Sequence, residues 1–383
     1  MPTSAAASAG RRADVERLRT EPCRSVLMVG TDLGGTGGIR AVVQSYLDGG
    51  LFERFAGEYV ATHRAGSAWT KLSAAVGGWW RVGKALRRLD APLLHVQMAS
   101  RASFWRKSVV CLMARAAGRP YIVHLHGGEF MQFYQQESGP LLRGYIRYIL
   151  ANAALVIAVS EVWRERLLKI CPLANVEVLT NAVALPDLHS RRAALGRTNL
   201  PPTVVFLGDL TERKGAFDLL RAFAQMAHEA PRLRLIFGGV GAIAEVQRLA
   251  AQLGIDGRVD CCGWLDLQRK QATLAAATVF VLPSYAEGLP MALLEALSWG
   301  IPCIATPVGG IPQVIAPPRN GLLIAPGDID GLAEAMTRLL QDPGLREQLG
   351  AAGRETIATG FTLEATLAHL AQIYRRFGIE SRA

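Results

Sequence analysis

This sequence lacks the cysteine spacing of a metal site or a disulfide framework. Its six cysteines (Cys23, Cys111, Cys171, Cys261, Cys262 and Cys303) include no C-x2-C pair and no repeated interval. They read as buried thiols of a reducing compartment. No uncharged apolar run approaches the about 18 residues that a membrane span requires. Residues 1–24 carry acids and have no continuous apolar stretch, so they read as a disordered, Ala/Arg-rich extension rather than a secretory leader. No nucleic-acid-binding motif is visible, and no short-period repeat. The first glycine-rich loop is not a proper G-x-G-x-x-G and lacks the acidic residue expected downstream, which disfavours dinucleotide binding.

What is present is enough apolar material for two ordinary domains: 383 residues, of which 50% are hydrophobic. The formal net charge is +10, and it is unevenly divided. Residues 1–190 hold 23 Lys/Arg against 14 Asp/Glu, whereas residues 191–383 hold 19 against 18. The excess concentrates in residues 64–110. There nine cations (Arg64, Lys71, Arg81, Lys84, Arg87, Arg88, Arg101, Arg106, Lys107) meet one acid, Asp90, with Trp69, Trp79, Trp80, Phe104 and Trp105 interleaved. Cations mixed with aromatics suit an anionic membrane surface or a nucleic acid. The absence of a nucleic-acid motif favours the membrane.

Apolar runs alternate with helix-period segments throughout, the signature of parallel α/β layers. Strands are predicted at 25–30, 93–98, 121–125, 155–160 and 176–180. After a polar connection they resume at 204–207, 233–237, 259–262, 279–282 and 303–306. The two halves repeat one layout. A final helix is predicted over 363–377, with Leu363, Leu367, Leu370 and Ile373 on one stripe.

Four loops carry candidate chemistry. GTDLGGTGGIRAVV (30–43) follows the first strand and opens a helix near Ile39, where glycines permit close approach of a phosphate to the helix start. GDLTERKGAFDLL (208–220) sets Arg213 and Lys214 before a helix beginning near Gly215; two cations there can neutralise a diphosphate. VHLHGGEF (123–130) puts His124 and His126 on one strand face, with His126 at the carboxyl end where open sheets bind ligands. His124 reads as a core histidine. SYAEGLPMALLEALSWG (284–300) carries Glu287 just before a helix that Pro290 would open and Gly300 would close. Glu295 stands eight residues on, roughly 12 Å along a helix axis. Asp328-Ile329-Asp330 is a D-x-D string, but its setting, APGDIDGLAEAM, reads as a helix N-cap rather than a metal site.

The string PSYAEGLPMALLEALSWGIPCIATPVGG (283–310), with its E-x7-E pattern, resembles the retaining nucleotide-sugar glycosyltransferases of family 4. The resemblance runs from about residue 25 to 377. It implies the α/β GT-B fold: two Rossmann-like domains facing a cleft, with a C-terminal helix returning to the first. The implied boundaries are 25–186 for the N-terminal acceptor-side domain, 187–200 for a linker, 201–361 for the nucleotide-sugar domain and 362–383 for the returning helix. By the same resemblance Glu287 contacts the donor sugar and Glu295 the ribose, while amides at Gly288 and Leu289 approach the sugar phosphate. Gly37 and Gly38 match a Gly-Gly pair beside the donor phosphate and acceptor. Lys214 matches a phosphate-binding lysine. Asp209 stands where that family has an arginine, a charge that Arg213 would replace. His126 would line the cleft near the transferred sugar, and Glu129 would face the acceptor.

The implied activity is transfer of a hexosyl group, with retention, from a UDP- or GDP-sugar to a glycan hydroxyl without a metal or other cofactor. Retention is assigned in that family to a front-face mechanism in which the departing phosphate takes the acceptor proton. The segment SRASFWRKS (100–108), together with HLHGGEF, looks like members that build exopolysaccharide or capsule on lipid-linked acceptors at the inner face of the cytoplasmic membrane. A GT-B sugar-nucleotide epimerase or glucan synthase, and a non-catalytic GT-B subunit, remain as alternatives.

Overall fold

The computed structural model describes residues 23–55, 57–89, 92–189, 191 and 201–382. The expected extension at 1–24 therefore lies outside the described residues except for Cys23 and Arg24, and the expected linker at 187–200 except for 187–189 and 191. The chain divides into two compact units, one of residues 1–181 with 363–383, the other of residues 182–362.

The first unit holds six strands: β1 (Ser25–Gly30), β2 (Gly57–Ala61), β3 (Pro92–Met98), β4 (Tyr121–Leu125), β5 (Leu155–Ala158) and β6 (Val176–Val178). They form one sheet in the order β2-β1-β3-β4-β5-β6, with every pairing parallel. β1, β3, β4 and β5 are buried along their whole length, as continuous apolar runs covered by helices should be. Two expected strands stop early. The 155–160 run ends at Ala158 because Ser160 instead caps the helix Glu161–Ile170, accepting from the amide of Trp163. The 176–180 run ends at Val178. β2 went unanticipated; its burial is partial, and its sequence GEYVA offers little apolar periodicity.

The helix Leu363–Arg375 belongs to this first unit. Leu363, Leu367, Leu370 and Ile373 are all buried, and Tyr374 is fully enclosed edge-on to Phe55. Gly49 leaves room for the returning helix, since a Cβ there would lie 2.4 Å from Leu367 Cδ1.

The second unit repeats the plan with β7 (Thr203–Leu207), β8 (Arg234–Gly238), β9 (Val259–Cys261), β10 (Val279–Leu282), β11 (Cys303–Ala305) and β12 (Leu322–Leu323). Their order is β12-β11-β10-β7-β8-β9, again all parallel. In each sheet the winding reverses once, between β1 and β3 and between β10 and β7. Loops leaving the carboxyl ends of those strands border the crevice in which open α/β sheets hold ligands.

Candidate active site

In the second unit, both loops at the reversal point carry residues singled out from the sequence. After β7, Thr211 caps a 3-10 turn, Glu212–Lys214, by accepting from the Lys214 amide. Gly215 then takes φ 70°, a left-handed conformation, and leads into the helix Ala216–Ala227. A Cβ there would stand 2.1 Å from the carbonyl oxygen of Pro283, so only glycine lets the β7 loop close on the β10 loop. The two loops are stitched by backbone: the Tyr285 amide donates to Arg213 O at 2.8 Å, and the Arg213 guanidinium donates to Ala286 O at 3.1 Å. This braces the β10 loop from beneath.

Above that brace Lys214 Nζ meets Glu287 Oε1 at 2.6 Å, and Ser284 Oγ donates to the same oxygen at 2.8 Å. Glu287 is 6% exposed and the lysine 16%, so the pair is largely removed from water. Gly309 presses in from the β11 loop; a Cβ on it would lie 2.0 Å from Glu287 O. The Gly310 amide donates to Gly288 O at 2.7 Å. Residues from three strand ends thus fix the Glu287–Gly288 backbone. Leu289 sends its side chain into the core.

One expectation changes here. Pro290 is the N-cap of the helix Met291–Ser298, with φ −74° and ψ 122°, rather than its first helical residue. Glu287 therefore precedes the helix, and the spacing to Glu295 is not a helical rise. Glu295 lies within the helix and pairs with Lys270 Nζ at 2.5 Å. Lys270, on the helix Leu267–Ala276, was not foreseen; it sits 25 residues upstream in a polar helix with no local motif. Asp328 accepts from the Gly331 amide at 2.9 Å, as an N-cap does, and Asp330 accepts from Gln225. Among the described residues, no three His, Cys, Asp or Glu side chains converge as metal ligands would.

The first unit carries the remaining candidates. Gly37, at φ 113°, is the N-cap of the helix Gly38–Asp48. No atom lies within 4 Å of a Cβ built on Gly37 or on Gly38, so the space above this helix start is open. His124 is fully buried, as a core histidine should be, and burial holds its ring well below the usual range. The His126 ring stacks on it at 4.1 Å and bonds Gln97 Oε1 through Nε2 at 2.6 Å. Burial, reinforced by Lys107 and His95, lowers His126 to about 3, so the ring is neutral. Glu129 pairs with Arg101 at 3.1 Å, and the same guanidinium also grips Glu137. Arg101 itself has φ 54°.

The basic segment 64–110 is only partly a surface. Lys107, counted there as a surface cation, is 1% exposed; its Nζ donates to Ser103 Oγ at 3.0 Å, and burial with nearby Arg106 lowers it to about 7. Phe104 is core, and Trp79 donates to Arg106 O. Arg88 is held by Glu58. The expected burial is met at Cys23, Cys111, Cys171 and Cys303; Cys261 and Cys262 are only partly buried.

Comparison with known proteins gives these features a context. Residues 190–356 match the family profile "Glycosyl transferases group 1", and residues 43–185 match "Glycosyltransferase Family 4". The GDP-mannose-dependent alpha-(1-6)-phosphatidylinositol monomannoside mannosyltransferase of Mycolicibacterium smegmatis is 30% identical over 277 residues, 68% of this chain and 72% of that protein. The solved sucrose-phosphate synthase of Thermosynechococcus elongatus superposes with a TM-score of 0.75 at 23% identity, covering 92% of this chain and 98% of that one. Anabaena HepE, solved with UDP and glucose, superposes with a TM-score of 0.71 at 18% identity, covering 92% and 99%.

Proposed function

Because the chain belongs to the family 4, group 1 glycosyltransferases and is a hexosyltransferase of the α/β GT-B fold, we propose that it moves a hexosyl group, with retention, from a nucleotide-diphosphate sugar to a hydroxyl of a lipid-linked glycan precursor. The observation that carries this reading is the Lys214–Glu287 pair at the reversal point of the second sheet. Glu287 contacts the donor sugar, and Lys214 exchanges its carboxylate partner for the diphosphate as the donor binds. The ammonium then stabilises the charge that develops on the leaving group. Arg213 contributes mainly by bracing the loop, with its positive charge close to Lys214. No side chain is assigned as a covalent nucleophile. As the bond from the anomeric carbon to the phosphate oxygen breaks, that departing oxygen takes the proton of the acceptor hydroxyl, and the acceptor oxygen bonds to the anomeric carbon on the same face.

Glu295, anchored by Lys270, binds the ribose. From the first unit the reading uses Gly37 and Gly38 for the donor phosphate, His126 for the transferred sugar and Glu129 for the acceptor. No metal enters the scheme. The M. smegmatis relative uses GDP-mannose and the HepE structure holds UDP, so both nucleotides belong in the first screen. Thermal stabilisation by UDP-, GDP- and ADP-sugars tests the donor: a ligand at 100 times its Kd adds about 2.7 kcal/mol. Product analysis with labelled donor then tests the reaction. Consumption of donor that changes the sugar without any acceptor would favour an epimerase and refute transfer.

The acceptor reading rests on the helix Ala68–Arg88. Trp69, Leu72, Val76 and Trp80 recur at helical spacing on one stripe and are 80%, 51%, 52% and 62% exposed. Lys71, Arg81, Lys84 and Arg87 lie on the same helix, with Lys84 Nζ 4.1 Å above the Trp80 ring. We assign this face to an anionic bilayer, where tryptophans enter the headgroup layer and each nearby cation contributes about 1 kcal/mol. Among the described residues, no helix is long and apolar enough to cross a membrane. Cosedimentation with vesicles of rising anionic content is expected to show binding that weakens with salt and falls when Lys71, Arg81, Lys84 and Arg87 become Gln. Binding indifferent to lipid charge would refute the assignment.

A further inference from the structure

A chain of buried polar side chains runs through the first unit from the returning C-terminal helix to His126. Tyr374 Oη lies 2.7 Å from His95 Nδ1, and His95 Nε2 is 3.2 Å from both Gln97 Nε2 and His124 Nδ1. Gln97 Oε1 completes the chain at 2.6 Å from His126 Nε2. Tyr374, His95, Gln97 and His124 are all fully buried, so no water competes for these bonds. Two ring atoms have no partner although both are buried: His124 Nε2 and His126 Nδ1.

Two proton arrangements satisfy the chain, and the unpartnered atoms decide between them. In one, His126 donates from Nε2 to the Gln97 oxygen, and the Gln97 amide donates to His95 Nε2. His124 also donates to that His95 nitrogen, and His95 donates from Nδ1 to Tyr374. Both unpartnered atoms are then bare lone pairs. In the reverse arrangement the Gln97 amide is flipped and His95 carries its proton on Nε2. His124 Nε2 and His126 Nδ1 would then each hold an N–H buried without an acceptor. Orphaned buried donors are rarer in folded proteins than under-satisfied acceptors, so the first arrangement prevails.

We propose that Gln97, oriented through His95 and Tyr374, is a positioning residue that locks His126 in the Nε2–H tautomer, so that the buried Nδ1 carries a lone pair and no proton. The ring is neutral because it is buried beside the Lys107 amine and His95. A neutral ring with a bare Nδ1 accepts a hydrogen bond and donates none there. The tautomer does not rest on the transferase reading above. The closing of the chain by Tyr374 gives the returning helix a second task beyond packing: it fixes the protonation of a group on the first sheet.

The test is nitrogen-15 NMR of histidine-labelled, ligand-free protein. His126 is expected as the Nε2–H tautomer throughout pH 5–8. Gln97→Leu is expected to release the lock and give a mixture of tautomers. Gln97→Glu is expected to raise the His126 pKa toward its ordinary value, which loss of packing alone would not do. Tyr374→Phe removes a single oxygen from an enclosed ring and serves as the gentler variant; it should shift the His95 nitrogens and, through Gln97, those of His126. An Nδ1–H or charged His126 in wild type at pH 7 overturns the proposal, as does an unchanged tautomer in folded Gln97→Leu. These measurements need no sugar transfer, so their failure is separate from failure of the transferase reading. In the active enzyme, Gln97→Leu should lower kcat/KM for the intact donor about 10-fold.

Discussion

Separating Lys214 from Glu287 should damage folding and turnover together, but by different amounts in different variants. At 2.6 Å, an effective dielectric of about 20 gives a gross attraction of about 6 kcal/mol. Desolvation of two groups as buried as these offsets much of it. The net worth of the pair is therefore small, while the cost of leaving one ion behind is large. Lys214→Met strands a carboxylate that is 6% exposed and should cost about 3 kcal/mol. Glu287→Gln keeps an oxygen for Ser284 and leaves an ammonium with some access to water, so it should cost about 1–2 kcal/mol. In the double variant no ion is stranded, and the losses should fall short of additive by about 2 kcal/mol. Denaturant midpoints of the four proteins measure this cycle. Turnover of the same samples should fall about 100-fold or more in each single variant, since each loses a group acting at the reacting centre. Additivity within about 0.5 kcal/mol would refute the ion pair. Wild-type turnover in either folded variant would refute its place in the donor site.

Glu295→Gln and Lys270→Met should each raise KM for the donor while leaving kcat within a few-fold, as loss of uniform binding does; a loss confined to kcat would reject the ribose role. Activity should survive excess EDTA, whereas full loss with rescue by Mn²⁺ or Mg²⁺ would return Asp328 and Asp330 to consideration as ligands. His95 and His126 are each lowered to about 3 by burial, so below about pH 6.5 the unfolded chain binds protons that the folded chain refuses. Stability is thus fully present above that pH and should fall by up to about 1.4 kcal/mol per pH unit for each ring as pH drops toward 3. Denaturant midpoints unchanged between pH 7 and 5 would contradict buried neutral rings. Lys107, lowered to about 7, has a consequence of the same sign at higher pH: its burial costs stability progressively as pH falls from its ordinary pKa toward 7, and that cost is fully present below pH 7. Lys107→Met should therefore stabilise the protein at pH 6 by a few kcal/mol relative to its effect at pH 10, and equal effects at the two pH values would refute a perturbed amine.

The parallel α/β class was legible from local pattern because strands buried on both faces are continuous apolar runs, as in 25–30 and 121–125. Short or half-covered strands were not: β2 and β12 owe their pairing to neighbours distant in sequence. Glu287, Lys214 and the turn at Gly215 were legible because a glycine and a proline mark where the backbone must bend. The sequence alone could not place Lys214 on Glu287, 73 residues away, or supply Lys270 for Glu295. Those partners are chosen by strand order, which brings β7 beside β10. Helical period made the exposed stripe from Trp69 to Trp80 readable in principle, yet charge counting placed Lys107 at the surface. Burial depends on which face of a helix the sheet covers, and composition does not encode that. The His126 environment lay furthest beyond reach. His95, Gln97 and Tyr374 converge only when β3 lies beside β4 and the final helix returns to the first unit, so the proton on one imidazole is decided by residue 374.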